Sequence, residues 1–239
     1  MKKFIFVFAV LLFAHLSFSQ NKTTTAKPKT TATQKTVIPA KGRLVELTTD
    51  FGTMVIRLYD STPMHRDNFI KLVQEGFYDS LLFHRVIQNF MIQGGDPNSK
   101  YADTSAMLGN GEAPGERIPA EFKNNLIHKK GVLAAARDNN PEKASSNCQF
   151  YIVQGQKYND TTLNEMECGV RQNNPGFTYT NAQRNIYKTI GGVPFLDQNY
   201  TVFGEVIKGL DVIDKITAIP CDANDRPLQN VRMKIKMLN

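Results

Sequence analysis

The 239-residue sequence has no tryptophan, four histidines and three cysteines. Metal chemistry is excluded first. Beyond the N-terminal run only His65, His84 and His128 remain, and no CxxC or HxxxH spacing is present, so the usual zinc ligand sets are missing. The expectation is a protein that needs no metal and no cofactor. With Cys148, Cys168 and Cys221, at least one thiol stays unpaired, and a Cys168–Cys221 disulfide is the pairing left open. A phosphate-binding loop is also lacking. GNGEAPG (Gly109–Gly115) has the wrong glycine spacing, carries Pro114 where a helix should begin, and is not followed by Gly-Lys-Ser/Thr. No internal repeat is present.

Acidic residues are absent from the first 42 positions, which hold seven of the 29 basic residues. The remaining 22 basic residues face 22 acidic ones, so the rest of the chain is formally neutral. The basic pI therefore gives no support to nucleic-acid binding. Lys2 and Lys3, an apolar run from Phe4 to Leu16, and Ser17 and Ser19 follow the order of a secretory signal peptide. That run is short for a membrane-spanning helix. Residues 20–42 are rich in Thr and Lys and cannot bury enough apolar surface to offset their ordering entropy, which predicts a disordered tether. The expectation is a signal peptide over 1–19, a tether over 20–42 and one domain over 43–239. The protein would be periplasmic or secreted, monomeric and without stable membrane insertion.

Beyond Gly42 the pattern predicts many strands and few helices. RLVELTT and TMVIRLY flank Asp50-Phe51-Gly52 and read as a hairpin. Thr62 as N-cap, Pro63 at the first helical position and Gly76 at the end bracket a helix with Met64, Phe69, Leu72 and Val73 on its apolar stripe. FHRVI, GVLAAAR, QFYIV and TVFGEVI read as strands, GLDVIDKI as a short helix, and NVRMKIKML as a last strand with Val231, Met233, Ile235 and Met237 facing inward. In NCQFYIV, alternation puts Cys148, Phe150 and Ile152 on one face and Gln149 and Tyr151 on the other. About 40 residues, 154–193, form an insertion too long for an ordinary connection. Within it Thr180 and Gln183 have capping-box spacing, Gly191 stops the helix, and Leu163–Cys168 suggests a short helical turn.

FHRVIQNFMIQGGDP (Phe83–Pro97) mixes a guanidinium with large apolar residues, as expected of a groove apolar at its base and polar at its lip. With SNCQFYI and VPFLDQNYTVFGEV in this order, it resembles the cyclophilin family of peptidyl-prolyl cis–trans isomerases, from about Arg43 to the C-terminus. The resemblance implies a mainly β fold, an eight-stranded antiparallel closed barrel capped by two α-helices, here with a partly helical insertion. It implies proline-containing polypeptides as substrates, Arg85 as the catalytic residue, and Phe90, Met91, Tyr151 and Leu196 as the floor for the proline ring. Gln93 and Gln149 would bond the peptide backbone and orient Arg85. Ala136 and Arg137 would offer backbone to the residue before the proline, and Phe195 and Tyr200 would form the rim. Arg137 stands where many members have Asn, Phe195 where the best-known eukaryotic members have tryptophan, and Tyr200 where they have histidine. Reduced cyclosporin affinity follows, since that ligand packs on the tryptophan.

The chemistry accounts for these residue types. Rotation about an X-Pro bond crosses a barrier of about 18–20 kcal/mol because the amide is conjugated. Twisting restores a lone pair on the proline nitrogen, to which a guanidinium can donate only in the twisted state, or the guanidinium can hold the proline carbonyl so that the preceding half rotates. No nucleophile, general base or metal is required. A peptide-binding module or chaperone without turnover remains the alternative, as does a structural role dominated by the insertion. Chain order alone suggests that the insertion lies beside the groove and is dispensable for the chemical step.

Overall fold

A computed structural model describes residues 43–103 and 105–238. The signal peptide and tether expected over residues 1–42 lie outside them. Eight strands run β1 (Leu44–Thr49), β2 (Gly52–Leu58), β3 (Phe83–Ile87), β4 (Met91–Gly94), β5 (Val132–Ala135), β6 (Phe150–Val153), β7 (Val202–Lys208) and β8 (Lys234–Leu238). They form one antiparallel sheet in the order β3-β4-β6-β5-β7-β2-β1-β8. The sheet curls into an open half-barrel, which corrects the closed barrel expected from the sequence. Its edges, β3 and β8, share no ladder among the described residues. Only an isolated Leu82–Arg232 bridge and a few backbone hydrogen bonds, such as Phe83 N–H to the Val231 carbonyl at 2.9 Å, span them. Val231 and Met233 do face the core, yet pairing with β1 begins only at Lys234. The periodicity of NVRMKIKML thus reports burial over a longer stretch than it reports strand pairing.

The described residues form four α-helices: α1 (Pro63–Gln74), α2 (Asp160–Asn173), α3 (Asn181–Thr189) and α4 (Asp211–Thr217). Phe69, Leu72 and Val73 of α1, with Val212, Ile213 and Ile216 of α4, complete the main core against Val45, Leu47, Met54, Ile56 and Phe150 from the sheet. Met64 is exposed; His65 takes the buried place assigned to it. Thr62 sits at the N-cap but its hydroxyl makes no cap and has no partner. The Glu121 carboxylate accepts from the backbone N–H groups of Met64 and His65 instead, at 3.2 and 3.0 Å. It also bonds His65 Nδ1 at 2.7 Å, while His65 Nε2 lies 2.9 Å from Ser145 Oγ.

The insertion is more helical than expected. Where Leu163–Cys168 suggested one turn, α2 runs through 14 residues with Asn159 as N-cap. Thr180 and Gln183 form the expected capping box of α3, and Gly191 follows with φ +93°. Leu163, Val170, Phe177, Tyr179 and Tyr187 bury a small core of their own against Ile127. All three cysteines are free, so the Cys168–Cys221 pairing does not form. Burial pushes the Cys148 thiol up to about 11.

Candidate active site

Strands β4, β5 and β6 each serve two apolar clusters. Ile92, Leu133, Ala135, Phe150 and Ile152 face the main core. Their alternate neighbours Met91, Val132, Ala134, Tyr151 and Val153 face the other side, where they meet Leu196 and Val202. This period-2 alternation is what gives the half-barrel a second apolar surface on its outside. Register then aligns the polar lip. Arg85 pairs with Gln93, Gln93 with Tyr151, and Tyr151 with Ala134. Directly paired residues in an antiparallel sheet share a face, so a guanidinium, an amide and a phenol stand in one row.

A cavity of about 100 Å³ opens on this row. Arg85, Gln93 and Arg137 contribute its polar lining; Phe90, Met91, Ala136, Tyr151, Leu196 and Tyr200 contribute its apolar and aromatic lining. Nine of the eleven residues expected at the site therefore meet at one cavity. Two wider clefts of about 600 and 330 Å³ share Gln93 and Arg137 with it. Phe195 lies outside the cavity lining, half exposed, with its ring 5.7 Å from that of Phe90.

Gln149 is the other exception. It is largely buried and lines the 330 Å³ cleft rather than the cavity; its Nε2 donates to the Gly109 and Gly111 carbonyls at 2.9 and 2.8 Å and its Oε1 accepts from Gln93 at 3.2 Å. Its hydrogen-bonding capacity at the amide nitrogen is thus filled, and it does not touch Arg85. The GNGEAPG loop is the reason. Asp96 receives the Gly109 N–H and fixes the loop against Gln149. Gly95, at φ +96°, lets the chain pass where a Cβ would sit 2.3 Å from the Cys148 carbonyl. Among the described residues Arg85 has one partner, Asp225 Oδ2, 3.3 Å from its Nε. The two Nη groups are left to the groove. Next to it His84 is held neutral by burial, which lowers it to about 4.

The sequence profile of the family described as cyclophilin type peptidyl-prolyl cis-trans isomerase matches residues 44–237. The chain belongs to this family. A peptidyl-prolyl cis-trans isomerase of Acinetobacter baylyi is 34% identical over 206 residues, covering 82% of this chain and 87% of the relative. A cyclophilin-type isomerase of Cryptosporidium parvum, solved in the presence of the dipeptide Ala-Pro, superposes with a TM-score of 0.59 at 23% identity, covering 82% of this chain and 99% of that one. The second likeness concerns the fold. Family membership makes this protein a peptidyl-prolyl cis-trans isomerase, which decides between the alternatives the sequence leaves open.

Three contacts of this isomerase have no signal in the local sequence. Arg137 donates to the Asn199 carbonyl and side chain at 3.1 and 2.9 Å, and its guanidinium lies 4.6 Å from the Tyr200 ring centroid. It is therefore a wall of the cavity through its side chain as well as through its backbone. Asp225 reaches Arg85 across 140 residues of sequence. The Tyr151 hydroxyl turns away from the groove to His128 Nε2, 3.0 Å away. No group of three or more His, Cys, Asp or Glu side chains among the described residues could hold a metal ion, and no helix among them is long and apolar enough to cross a membrane.

Proposed function

We propose that this isomerase turns over X-Pro bonds of polypeptides exported from the cytoplasm, with the proline ring seated on Phe90, Met91, Tyr151 and Leu196. The observation that carries this reading is the row Arg85–Gln93–Tyr151 opening on a single ring-sized cavity. The apolar floor fixes the pyrrolidine and thins the water around it, which strengthens any charge contact at the twisting amide. Arg85 supplies that contact through its Nη groups. Gln93, steadied by Gln149, bonds the peptide backbone, Ala136 offers backbone to the residue before the proline, and Phe195 and Tyr200 form the rim. Proline-containing chains are recognised through ring and backbone, so many sequences serve as substrates. Exchange NMR on a short X-Pro peptide tests the reading. Acceleration of cis–trans exchange, with line broadening of the Phe90, Met91 and Leu196 side chains on titration, is expected. Broadening confined to other surfaces would move the site elsewhere.

Export rests on the N-terminal pattern: two lysines, an apolar run and small residues at 17 and 19. Cleavage between Ser19 and Gln20 is expected, and intact-mass measurement on protein from the envelope fraction checks it. Mature material that still begins at Met1 would overturn export by a cleaved leader.

A further inference from the structure

A buried polar cluster joins the insertion to the cavity. Asp197 is fully buried, next to Leu196 in sequence. Its Oδ1 accepts from the backbone N–H of His128 and lies 2.7 Å from His128 Nδ1. Its Oδ2 accepts from the hydroxyls of Tyr179 and Tyr187, at 2.7 and 2.5 Å, both contributed by the insertion. His128, also fully buried, continues through Nε2 to the Tyr151 hydroxyl and stacks on the Tyr151 ring at 6.1 Å. An ionised carboxylate can only accept, so Nδ1 must be the protonated nitrogen of His128. In the neutral ring Nε2 is then the acceptor, and the Tyr151 O–H must donate to it. Asp197, the neutral His128 ring and Tyr151 thus have their roles fixed by their neighbours, while the Tyr179 hydroxyl also lies 3.1 Å from the Pro194 carbonyl, a longer contact than its 2.7 Å to Asp197.

From this geometry we propose that the insertion positions the floor of the proline cavity: Tyr179 and Tyr187 hold Asp197, Asp197 fixes the His128 tautomer, and His128 holds the Tyr151 hydroxyl out of the groove. This rests on Tyr151 being part of the floor. A tyrosine floor has a polar atom that would otherwise turn toward the pyrrolidine or demand water there. The relay satisfies it from behind, so the ring presents an apolar face at a set depth. The insertion is thus part of the cavity wall's support, not the dispensable neighbour that chain order suggests. Tyr179, Tyr187, Asp197 and His128 are positioning residues, since none of them lines the cavity.

The relay is tested by removing hydroxyls alone. Tyr179→Phe/Tyr187→Phe is expected to lower kcat/KM on an X-Pro peptide about ten-fold, the worth of about one buried hydrogen bond at the floor. In a Tyr151→Phe background the same pair should change turnover less than about two-fold, because the link to the floor is already cut. A purely structural role of the two tyrosines predicts the same loss in both backgrounds and overturns the relay. So does a folded double variant as active as its parent. Tyr151→Ala separates the premise from the relay. Turnover lost there but kept in the double phenylalanine variant overturns the relay alone, whereas turnover kept in Tyr151→Ala overturns the floor assignment and the relay with it. Nitrogen-15 spectra of wild-type His128 need no variant to fold: the Nδ1–H tautomer is expected, and an Nε2–H tautomer overturns the proposal.

Discussion

Arg85→Ala should lower isomerase turnover roughly ten- to a hundred-fold while leaving ground-state peptide affinity nearly unchanged. Among the described residues the guanidinium is tied by one bond, Nε to Asp225, and its Nη groups face the groove. In the planar amide the proline nitrogen has no lone pair to offer, so those groups gain their acceptor as the bond twists. Losing a charge-assisted hydrogen bond in a partly dry cavity costs about 1.5–3 kcal/mol, which is the stated range of rate. Arg85→Lys should recover little. An ammonium has no Nε to bond Asp225 and no planar fork to hold the rest of the group toward the amide. Folding should survive both changes, because the Arg85 and Asp225 side chains are each more than a third exposed and such pairs contribute about 0–1 kcal/mol. Line-shape NMR on a Pro peptide, with circular dichroism as the folding control, makes the measurement. A folded alanine variant as fast as wild type would remove Arg85 from the mechanism.

What the sequence made legible, and what it hid, divides along the range of the forces involved. Alternation in QFYIV placed Phe150 and Ile152 in the core and Tyr151 on the outer face, because side-chain direction in a strand is a local consequence of the backbone. The capping box at Thr180 was readable for the same reason: both partners lie within three residues. Thr62 shows where local reasoning fails. Its position is that of an N-cap, yet the acceptor for α1 comes from Glu121, nearly 60 residues away. Likewise Gln149 was expected to hold Arg85, and neither the carbonyls of Gly109 and Gly111 nor the carboxylate of Asp225 could be assigned from spacing. Sheet closure is equally non-local. Seven strands are read from periodicity, β4 (Met91–Gly94) not among them and the eighth implied only by the resemblance, and whether β3 meets β8 depends on where pairing with β1 stops. The signal for the His128–Asp197 relay was present in one respect only: tyrosines at 151, 179 and 187 are apolar residues whose hydroxyls need partners when buried.

The largest effect on stability is expected at Glu121. Glu121→Ala removes the acceptor for two backbone N–H groups in the first turn of α1 and for His65 Nδ1 at once. Nothing local replaces it, since Thr62 provides no side-chain cap. Loss of a helix cap costs about 0.5–2 kcal/mol, and a buried ring nitrogen left without its partner costs about 1–3 kcal/mol more. The sum, about 1.5–5 kcal/mol, bears on a helix whose Phe69, Leu72 and Val73 are part of the main core, so α1 cannot fray at that end without exposing it. Burial already lowers the His65 pKa while its bond to Glu121 raises it. Without the carboxylate the ring is still less able to accept a proton, so it stays neutral and unpaired rather than finding charge as a remedy. Glu121→Gln should lose less, because one carbonyl oxygen still accepts at the helix terminus. Urea unfolding decides: the midpoint should fall for the alanine variant with its m-value unchanged. Activity well below that midpoint should fall less than stability does, because neither Glu121 nor His65 lines the cavity or its adjoining clefts. An alanine variant within about 0.5 kcal/mol of wild type would mean that α1 is capped by water or by a rearranged Thr62, and that the long-range carboxylate is incidental to the fold.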